Sequence, residues 1–455
     1  MQVFDNVLQA IGRTPLIKLN RMPAPSSATV LVKAEYMNPG GSIKDRMAFY
    51  MIEKAERDGR LKPGGIIVEN TSGNTGVGLA LAAALKGYRC VFTIPDKMSM
   101  EKINTLKAFG AEVYVCPTNV PADHPDSYYE TAKRMARELG AFYPNQYHNP
   151  DNIEAHYKTT GPEILEQTQG RLDYFVAGLG TGGTMSGAGK FLKQNLPGIK
   201  NVGVDPIGSV YHSLFTTGRM STPHVYKVEG IGEDMICGAM DMSVLDDVRQ
   251  VDDRQAFLAA RRLAREEGIF AGGSSGAAVH VALQVAREAG PGKVVAAILP
   301  DSGRAYISKF YSDEWMRDMG FFEPESPGSV RDVVRRREGD VIVARCDETA
   351  HAVVARMREH GISQMPVVDD TGKAVGMIHE SDLLQVLLDG RHKLDQPIAD
   401  VVTALQGVVQ PNTPVHELTR IFAEDNVAVV VEDGRVTSIV TKIDLIEYLG
   451  SKLPA

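Results

Sequence analysis

Short apolar runs alternate with longer amphipathic segments through the first two-thirds of the chain. Residues 66–68 and 294–299 are uninterrupted apolar runs of strand length. Residues 75–86 are rich in Ala and Leu and are followed by Gly87, which predicts a helix with a C-terminal cap. Uninterrupted apolar strands between helices are typical of a parallel sheet covered on both faces. We therefore expect a three-layer α/β fold for residues 1–320.

The pattern changes near residue 320. A polar, proline-containing stretch at residues 323–329 predicts a linker, which we place at residues 321–328. Beyond the linker the sequence repeats itself. The repeated segments are 331–334 with 399–402, 349–353 with 413–417, and 376–384 with 438–446. Two copies of a unit of about 60 residues form one tandem module rather than a long solenoid. We assign the copies to residues 329–390 and 391–455.

Composition narrows the class of protein without pointing to a function. The chain has 455 residues, of which 43% are hydrophobic and 23% charged, and its net charge is −8. At about 150 residues per domain, this length corresponds to about three packed globular units. The acidic balance argues against a nucleic-acid partner. The sequence shows neither a leader peptide nor an apolar stretch of about 20 residues, so we expect a cytoplasmic protein with no membrane partner.

The cysteines give no sign of a disulfide framework or of a metal centre. Four of them lie far apart, at positions 90, 116, 237 and 346. None belongs to a CxxC pair, and no Cys/His cluster has the spacing of a zinc site. We therefore expect four reduced thiols in a reducing compartment and no metal ion.

A glycine-rich loop at residues 38–46 carries the first candidate for chemistry. Ser42 can cap the helix that follows, and Asp45 lies three residues further on, as in a capping box. This placement puts Lys44 in the first helical turn, where the helix dipole disfavours a cation. Lys44 is therefore either a solvated surface residue or a lysine that works as a neutral amine. The GxxxxGK[ST] spacing of a nucleotide-binding P-loop is absent.

Three further loops lie where predicted strands give way to helices. Residues 70–76 combine hydroxyls, amides and glycines, which suits a carboxylate, although a tight turn with one cap is the simpler alternative. Residues 178–184 contain four glycines and two threonines, which favours a single phosphate. They also satisfy GxGxxG, with Asp205 after a later strand, so a dinucleotide site stays open. Residues 271–276 precede a helix predicted from Ala277, where serines are also ordinary caps.

The four loops together are more specific than any one of them. A pyridoxal-phosphate enzyme requires the groups that these loops supply. They are a lysine, a phosphate-binding turn, a hydroxyl-rich loop and an isolated serine hydroxyl. In such enzymes the lysine links to the cofactor, and the cofactor serves as an electron sink for amino-acid chemistry. We therefore predict pyridoxal phosphate as the cofactor and Lys44 as the catalytic residue.

Four motifs, at residues 11–16, 40–46, 71–76 and 180–184, carry a resemblance to a known family. Over about residues 3–320 the chain resembles the cystathionine β-synthases, which belong to the tryptophan-synthase-like, fold type II pyridoxal-phosphate enzymes. The resemblance implies two α/β lobes that enclose the cofactor. The cofactor-binding residues that it implies are Lys44, Asn74, Gly180, Thr181, Gly182, Gly183, Thr184 and Ser274. The substrate-binding residues that it implies are Ser42, Thr71, Ser72, Thr75, Gln146, Tyr147 and Gly230.

The resemblance also implies a role for each cofactor-binding residue. Lys44 matches the lysine that binds the cofactor covalently, and residues 180–184 match the phosphate loop. Asn74 matches the asparagine that hydrogen-bonds the 3′-oxygen of the cofactor, and Ser274 matches the residue that faces the pyridine nitrogen. For Tyr147, an ordinary surface tyrosine is the alternative.

Within this group, the resemblance favours a carbon–oxygen lyase that joins serine and homocysteine to give L-cystathionine, with hydrogen sulfide release from cysteine as a compatible side reaction. The Gly40–Gly41 pair, residues 300–316 and the fused repeats all favour it over the sister enzyme, cysteine synthase, which uses O-acetylserine and sulfide. Glu233 stands where eukaryotic members have tyrosine, which leaves the leaving group open. No extension with a haem-binding Cys and His precedes residue 3, so we expect no haem. A serine or threonine dehydratase and a non-catalytic adenosyl-ligand sensor are further alternatives.

The repeats resemble a Bateman module, which consists of two CBS domains and often binds adenosyl ligands. The candidate ligand-binding residues are Gln364, Asp382, Thr441 and Asp444. In the first copy His379 stands where the second copy has Thr441, and a carboxylate at a helix start is also an ordinary cap. S-adenosylmethionine, an adenine nucleotide and no ligand all stay open. We expect a homodimer or a larger homo-oligomer.

Overall fold

The computed structural model describes residues 3–96, 98, 100–121, 123–322, 328–334, 341–423 and 427–451. It divides into two compact units, residues 1–321 and residues 322–455. Most of the predicted linker, at residues 323–327, lies outside the described residues. The boundaries assigned to the two repeats, 329–390 and 391–455, stay predictions. No helix in the described part of the chain is long and apolar enough to cross a membrane.

Nine strands of the first unit form two sheets. The strands are β1 (Leu16–Lys18), β2 (Thr29–Ala34), β3 (Ile66–Asn70), β4 (Arg89–Pro95), β5 (Glu112–Cys116), β6 (Tyr174–Gly178), β7 (Lys200–Pro206), β8 (Asp247–Val251) and β9 (Val294–Leu299). The larger sheet has the order β1-β2-β9-β6-β7-β8 and is parallel except for the β1–β2 pair. The smaller sheet, β3-β4-β5, is parallel throughout. The expectation of parallel strands is therefore correct.

Helices cover these sheets and complete the layers. They are α1 (Lys44–Arg57), α2 (Asn74–Lys86), α3 (Met100–Ala108), α4 (Tyr128–Glu138), α5 (Pro150–Lys158), α6 (Thr160–Thr168), α7 (Lys190–Asn195), α8 (Tyr211–Thr217), α9 (Asp253–Glu267), α10 (Gly273–Ala289) and α11 (Asp313–Asp318). In the smaller sheet Ile67 and Phe92 pack in the core beneath α1 and α2. Val68 and Val91, which point to the opposite face, pack on α4. The central strand β4 is buried along both of its faces because helices cover both sides of the sheet there.

Two local predictions about helix starts are wrong. Asp45 does not complete a capping box with Ser42, because its Oδ2 accepts the backbone N–H of Gly40 at 2.5 Å. The Ser42 Oγ instead accepts the backbone N–H of Lys44 at 3.2 Å. The helix predicted from Ala277 begins at Gly273. Its first turn is buried, and burial outweighs the weak helix propensity of Gly and Ser.

The second unit consists of two small sheets with the same topology. Its elements are α12 (Val330–Val334), β10 (Ala344–Arg345), α13 (Ala350–His360), β11 (Gln364–Val368), β12 (Ala374–His379), α14 (Glu380–Leu388), β13 (Val408–Val409), α15 (Glu417–Ala423), β14 (Ala428–Glu432), β15 (Arg435–Val440) and α16 (Lys442–Gly450). In each sheet the first pair of strands is parallel and the second antiparallel. Each sheet also has its own apolar core. The repeats seen in the sequence are therefore repeats of structure.

Candidate active site

Loops at the carboxyl ends of the parallel strands meet at one pocket. The loop after β6 contributes Gly180, Thr181, Gly182 and Thr184 to its lining. Lys44 and Ile43 line it at the start of α1, and Pro300 lines it directly after β9. Gly230 and Ile231 complete one wall. This edge of a parallel sheet is where α/β folds place their ligands, because the loops there are free of the strand ladder.

Lys44 is the first residue of α1, is half-buried and lines the pocket. No described residue forms a hydrogen bond or an ion pair with its Nζ. Burial lowers the pKa of Lys44, and the carboxylates of Glu233 and Asp301 oppose this effect only in part. The lowered pKa shifts the amine in the direction that the helix N-terminus also favours. Lys44 lines the pocket, and its work as a neutral amine stays a prediction.

The loop at residues 180–184 presents backbone donors to the pocket. No described group accepts a hydrogen bond from the backbone N–H of Gly180, Thr181 or Gly182. Gly182 has φ +94°, and a Cβ there would lie 2.5 Å from the Cα of Met240, so only glycine fits. Successive unpaired N–H groups in such a turn form an anion site.

His156 and Asn152 contact the threonine hydroxyls of this loop. The Nε2 of His156 lies 3.4 Å from the Oγ1 of Thr184, and its Nδ1 lies 2.9 Å from the Oγ1 of Thr160. Burial lowers the pKa of His156 well below the usual range, and the charges of Lys44 and Arg46 act in the same direction. The Nδ2 of Asn152 donates to the Oγ1 of Thr181 at 3.1 Å. The loop is therefore fixed by neutral partners and its N–H groups stay available.

Asn74 is the first residue of α2, and Ser274 is the second residue of α10. Asn74 begins α2, and its Nδ2 donates to the Oδ2 of Asp301 at 2.9 Å. Ser274 lies in the first turn of α10 and is 1% exposed. The Oγ of Ser274 lies 4.0 Å from an ideal Cβ built on Gly230, and no described residue hydrogen-bonds it. Neither residue is among the lining residues of the pocket, but Ser274 lies next to Gly230 in its wall, and Asn74 is bonded to Asp301, the neighbour of Pro300 in its lining.

The hydroxyl-rich loop at residues 71–75 is stabilised by its own hydrogen bonds. The Oγ1 of Thr71 accepts the backbone N–H groups of Gly73 at 3.0 Å and Gly76 at 3.1 Å, which leaves the hydroxyl proton of Thr71 to donate. The Oγ1 of Thr75 donates to the Oε1 of Gln146 at 2.7 Å. Ser72 is half-buried beside them. The structure therefore brings Thr71, Ser72, Thr75 and Gln146 together.

The remaining predicted substrate residues have different settings. Tyr147 is buried, and its hydroxyl lies 3.3 Å from the hydroxyl of Tyr128, so the alternative of a surface tyrosine is wrong. Ser42 is buried, and its Oγ is committed to the backbone N–H of Lys44. Gly230 is exposed at the wall of the pocket.

The sequence reasoning missed the contact between Asp301 and Asn74. Asp301 is fully buried and also accepts the hydroxyl of Tyr306 at 2.7 Å. A signal for it exists in the sequence, because an Asp follows the apolar run 294–299 within two residues. A polar residue at the carboxyl end of a buried parallel strand is a candidate site residue.

In the second unit the structure separates the candidate ligand-binding residues. A cavity of about 330 Å³ is lined by Gln364, Asp382 and His379, together with Ser381 and Thr403 of the described residues. Thr441 and Asp444 are not among its lining residues. They form a capping box at the start of α16, in which the Oδ2 of Asp444 accepts from the Thr441 backbone N–H at 2.7 Å. In the second repeat, Thr441 and Asp444 therefore act as ordinary helix caps, as the alternative interpretation held.

Comparison with protein families now adds to this geometry. Residues 7–301 match the family described as pyridoxal-phosphate dependent enzyme. The chain belongs to this family. CBS domains match at residues 330–389 and 397–451. The predicted α/β fold with tandem CBS domains and the predicted pyridoxal-phosphate cofactor are confirmed.

Individual relatives differ in how much of the chain they match. A cystathionine beta-synthase from Dictyostelium discoideum is 37% identical over 465 residues, which cover 98% of this chain and 92% of the relative. A cysteine synthase from Staphylococcus aureus is 48% identical over 305 residues, which cover 67% of this chain and 96% of the relative. The solved structure of an O-acetylserine dependent cystathionine beta-synthase from Helicobacter pylori is 35% identical, has a TM-score of 0.62, and covers 68% of this chain and 99% of that chain. The resemblance to the cystathionine β-synthases is confirmed.

The residues present fit the cofactor of this family. The unpaired N–H groups at residues 180–182 fit a phosphate. The Nζ of Lys44, which lines the pocket, and the Oγ of Ser274, which lies next to Gly230 in its wall, have no hydrogen-bond partner among the described residues and are available to the cofactor.

Proposed function

We propose that this enzyme replaces the hydroxyl of serine with the thiol of homocysteine and so produces L-cystathionine and water. Similarity to cystathionine beta-synthases over nearly the whole chain supports this proposal, since the cysteine synthase matches the catalytic unit alone. The observation that carries it is Lys44, which lines the pocket formed by the loop after β6 and whose Nζ has no partner among the described residues.

Four groups of this chain would hold the cofactor. Lys44 would bind it covalently, and the N–H groups of residues 180–184 would bind its phosphate. Asn74 would donate to its 3′-oxygen, and the Oγ of Ser274 would meet its pyridine nitrogen. Bound pyridoxal phosphate supplies an electron-withdrawing ring that stabilises negative charge at the α-carbon of the amino acid.

Lys44 would move the protons of the reaction. Once the substrate has displaced it, its neutral Nζ takes the α-proton of serine, and proximity makes this transfer efficient. Burial favours the neutral amine that the step requires. Hydroxide is a poor leaving group, so the protonated Nζ of Lys44 then donates its proton to the departing hydroxyl oxygen. Lys44 therefore acts as base and as acid on one substrate.

Ser274 would decide the type of reaction. Its hydroxyl is neutral, so it does not hold a proton on the ring nitrogen as a carboxylate would. This environment favours loss of the β-substituent over transfer of the amino group. An Asp at this position would change the balance, which makes Ser274 a residue of reaction specificity.

The hydroxyl-rich loop would bind the carboxylate of the substrate. Thr71 keeps a hydroxyl proton to donate, and Ser72 stands half-buried beside it. Thr75 and Gln146 hydrogen-bond each other and would exchange this bond in part for the carboxylate. Ser42, Tyr147 and Gly230 would line the path of the substrate side chain.

The alternative substrate pair is O-acetylserine with sulfide. It is supported by the 48% identity to a cysteine synthase and by the 35% identity to the O-acetylserine dependent cystathionine beta-synthase from Helicobacter pylori. Steady-state assays of the purified enzyme with each pair separate the two. The proposal requires a higher kcat/KM for serine with homocysteine, and a higher value for O-acetylserine with sulfide would overturn it.

The second unit would bind an adenosyl ligand at its cavity. Gln364 and Asp382 line a space of about 330 Å³ together with further polar side chains. Calorimetric titration of the full chain with S-adenosylmethionine and with adenosine monophosphate tests this assignment. Heat with one ligand selects it, and no heat with either contradicts the assignment.

Assembly and location belong to the same proposal. We expect a homodimer or larger homo-oligomer, which sedimentation velocity measures directly. The free thiols of Cys90, Cys116, Cys237 and Cys346 support a reducing, cytoplasmic location.

A further inference from the structure

Asp301 connects elements that carry different parts of the candidate site. Its Oδ2 accepts two hydrogen bonds, from the Nδ2 of Asn74 at 2.9 Å and from the hydroxyl of Tyr306 at 2.7 Å. The two donors are 5 and 227 positions away in sequence. Asp301 is fully buried, and its Oδ1 has no partner among the described residues. Nothing in the reaction proposed above uses this carboxylate.

The backbone around Asp301 joins two further loops. The backbone N–H of Ile43 donates to the carbonyl of Pro300 at 2.8 Å, and the N–H of Ser302 donates to the carbonyl of Gly41 at 3.2 Å. The N–H of Gly272 donates to the carbonyl of Asp301 at 3.0 Å. Residues 300–302 are therefore hydrogen-bonded to the loop before Lys44 and to the loop before Ser274, while the side chain of Asp301 holds Asn74.

The carboxylate of Asp301 has little freedom to turn. A Cβ on Gly272 would lie 2.0 Å from its Oδ1, so the carboxylate packs directly against the backbone there. Nearby charges are also fixed, because Lys102 pairs with Glu229 and its Nζ lies 5.1 Å from the centre of the Tyr306 ring. Burial raises the pKa of Asp301, whereas Lys102 and the bonds from Tyr306 and Asn74 oppose this rise.

The hydrogen bond to the Oδ2 of Asp301 fixes the orientation of the Asn74 carboxamide. A carboxamide has a donor end and an acceptor end of the same shape, and only its partners decide which end points where. The Oδ2 of Asp301 accepts hydrogen bonds, so it takes one N–H of the Nδ2 group of Asn74. The second N–H and the carbonyl oxygen of Asn74 then have fixed directions.

We propose that the side chain of Asp301 is a positioning group that orients Asn74 toward the cofactor. The proposal rests on the proposed function only in so far as Asn74 contacts pyridoxal phosphate. It requires no particular acceptor substrate.

The test uses the full chain with Asp301→Ala, Asp301→Asn, Asn74→Ala and the double variant Asn74→Ala/Asp301→Ala. Two readouts apart from turnover are the position of the visible absorption band of bound pyridoxal phosphate and the Kd for pyridoxal phosphate. Asp205→Asn is the matched control, because Asp205 is buried, has one oxygen without a partner and does not contact Asn74.

We expect Asp301→Ala to raise the Kd for pyridoxal phosphate about tenfold to a hundredfold and to shift the band in the direction seen with Asn74→Ala. In the Asn74→Ala background, Asp301→Ala should change the Kd by less than about twofold, because the two residues act through one contact. Asp301→Asn keeps an acceptor oxygen and should give a smaller shift in the same direction. Asp205→Asn should lower the Tm and leave the band in place.

Two results would overturn the proposal. One is an unchanged band in Asp301→Ala or, if that variant does not fold, in Asp301→Asn. The other is an effect of Asp301→Ala that adds fully to that of Asn74→Ala, since this would show a general structural role. Failure of the proposed reaction is a separate result, because an enzyme that binds pyridoxal phosphate without joining serine to homocysteine still gives both readouts.

Discussion

The two units of the chain treat buried polar groups in opposite ways. The first unit buries lysine, arginine, aspartate, glutamate and histidine side chains, and two of these, His156 and Asp301, lie beside segments that line the pocket at Lys44. In the described part of the second unit, His392 and Ser438 are the buried polar side chains. Burying a polar group is costly unless it is paired. The first unit carries that cost at a site for chemistry, whereas the second unit keeps its charges near the surface and offers a cavity for a ligand.

The largest expected effect tests the chemical part of this comparison. Lys44→Ala should lower kcat by about 10²- to 10⁴-fold, because the side chain that moves the α-proton is gone. The matched control is Lys33→Met, which removes a fully buried lysine that pairs with Glu163 at 2.9 Å. That variant should lose stability and keep its kcat within a few-fold. Equal losses of kcat in both variants, measured on folded protein, would contradict the assignment of Lys44 as catalytic and Lys33 as structural.

A second test concerns the buried charges that support the site. Glu163 pairs with Arg46 at 2.7 Å and with Lys33, and both cations are almost fully buried. Glu163→Gln should lower the free energy of unfolding by about 3 to 5 kcal/mol in urea titrations, because buried Lys33 loses its paired carboxylate and Arg46 keeps Glu35 alone, at 2.6 Å. Glu112→Gln, which breaks an exposed pair with Arg89, should lower it by less than about 1 kcal/mol.

The same residue predicts a pH dependence with a definite sign. Burial opposes ionisation of Glu163, but the hydrogen bond and charge of Arg46 outweigh it and lower its pKa from 4.5 to about 2. A depressed carboxyl pKa stabilises the fold fully above the unfolded value and ceases to do so as pH falls through the folded value. The stability difference between wild type and Glu163→Gln should therefore shrink between pH 4.5 and about pH 2. A constant difference across this window would contradict the assignment.

A smaller effect should appear in the pH dependence of activity. Burial lowers the pKa of Lys44, and the carboxylate of Glu233 is the strongest of the charges that raise it again. Removing that charge in Glu233→Gln should lower the pKa of Lys44 further, so the acidic limb of kcat against pH should move to lower pH. Asp234→Asn is the neighbouring control and should leave the limb in place. Movement of the limb to higher pH would show that Glu233 does not act on Lys44 in this way.

The smallest effects test the two repeats against each other. Asp444→Ala removes one half of a capping box and should lower the free energy of unfolding by about 1 kcal/mol. Asp382→Ala should leave stability nearly unchanged and weaken binding of an adenosyl ligand about tenfold, because Asp382 lines the cavity. Calorimetry and urea titration on both variants separate the roles. The reverse result, with ligand binding lost in Asp444→Ala alone, would place the ligand site in the other copy.

The sequence predicts the elements of this fold better than it predicts the contacts between them. The apolar runs and the glycine loops are local signals, and the strands and the loops of the site follow from them. The hydrogen bond between Asn74 and Asp301 spans 227 positions and is decided by strand order, which no local pattern contains. The same reason explains the missed bond from Gly40 to Asp45, where the folded loop rather than the spacing selects the donor.

The roles of individual site residues depend on their surroundings in the folded chain, which sequence spacing does not contain. Spacing alone left Lys44 open between a solvated residue and a working amine, and its position in the lining of the pocket, which only the folded chain shows, supports the working amine. Spacing also left Asp382 and Asp444 equivalent, although their surroundings differ completely in the structure. Repeated sequence predicts repeated topology, because topology follows the apolar pattern. It does not predict equal sites, because sites depend on the few side chains that differ.

Product analysis tests the central claim most directly. The purified enzyme loaded with pyridoxal phosphate is incubated with serine alone and with serine plus homocysteine, with Lys44→Ala as the blank, and products are identified by mass spectrometry. The account predicts cystathionine in proportion to the serine consumed, only when homocysteine is present and only with Lys44 intact. Pyruvate formed from serine alone, or cystathionine formed equally by Lys44→Ala, would contradict it.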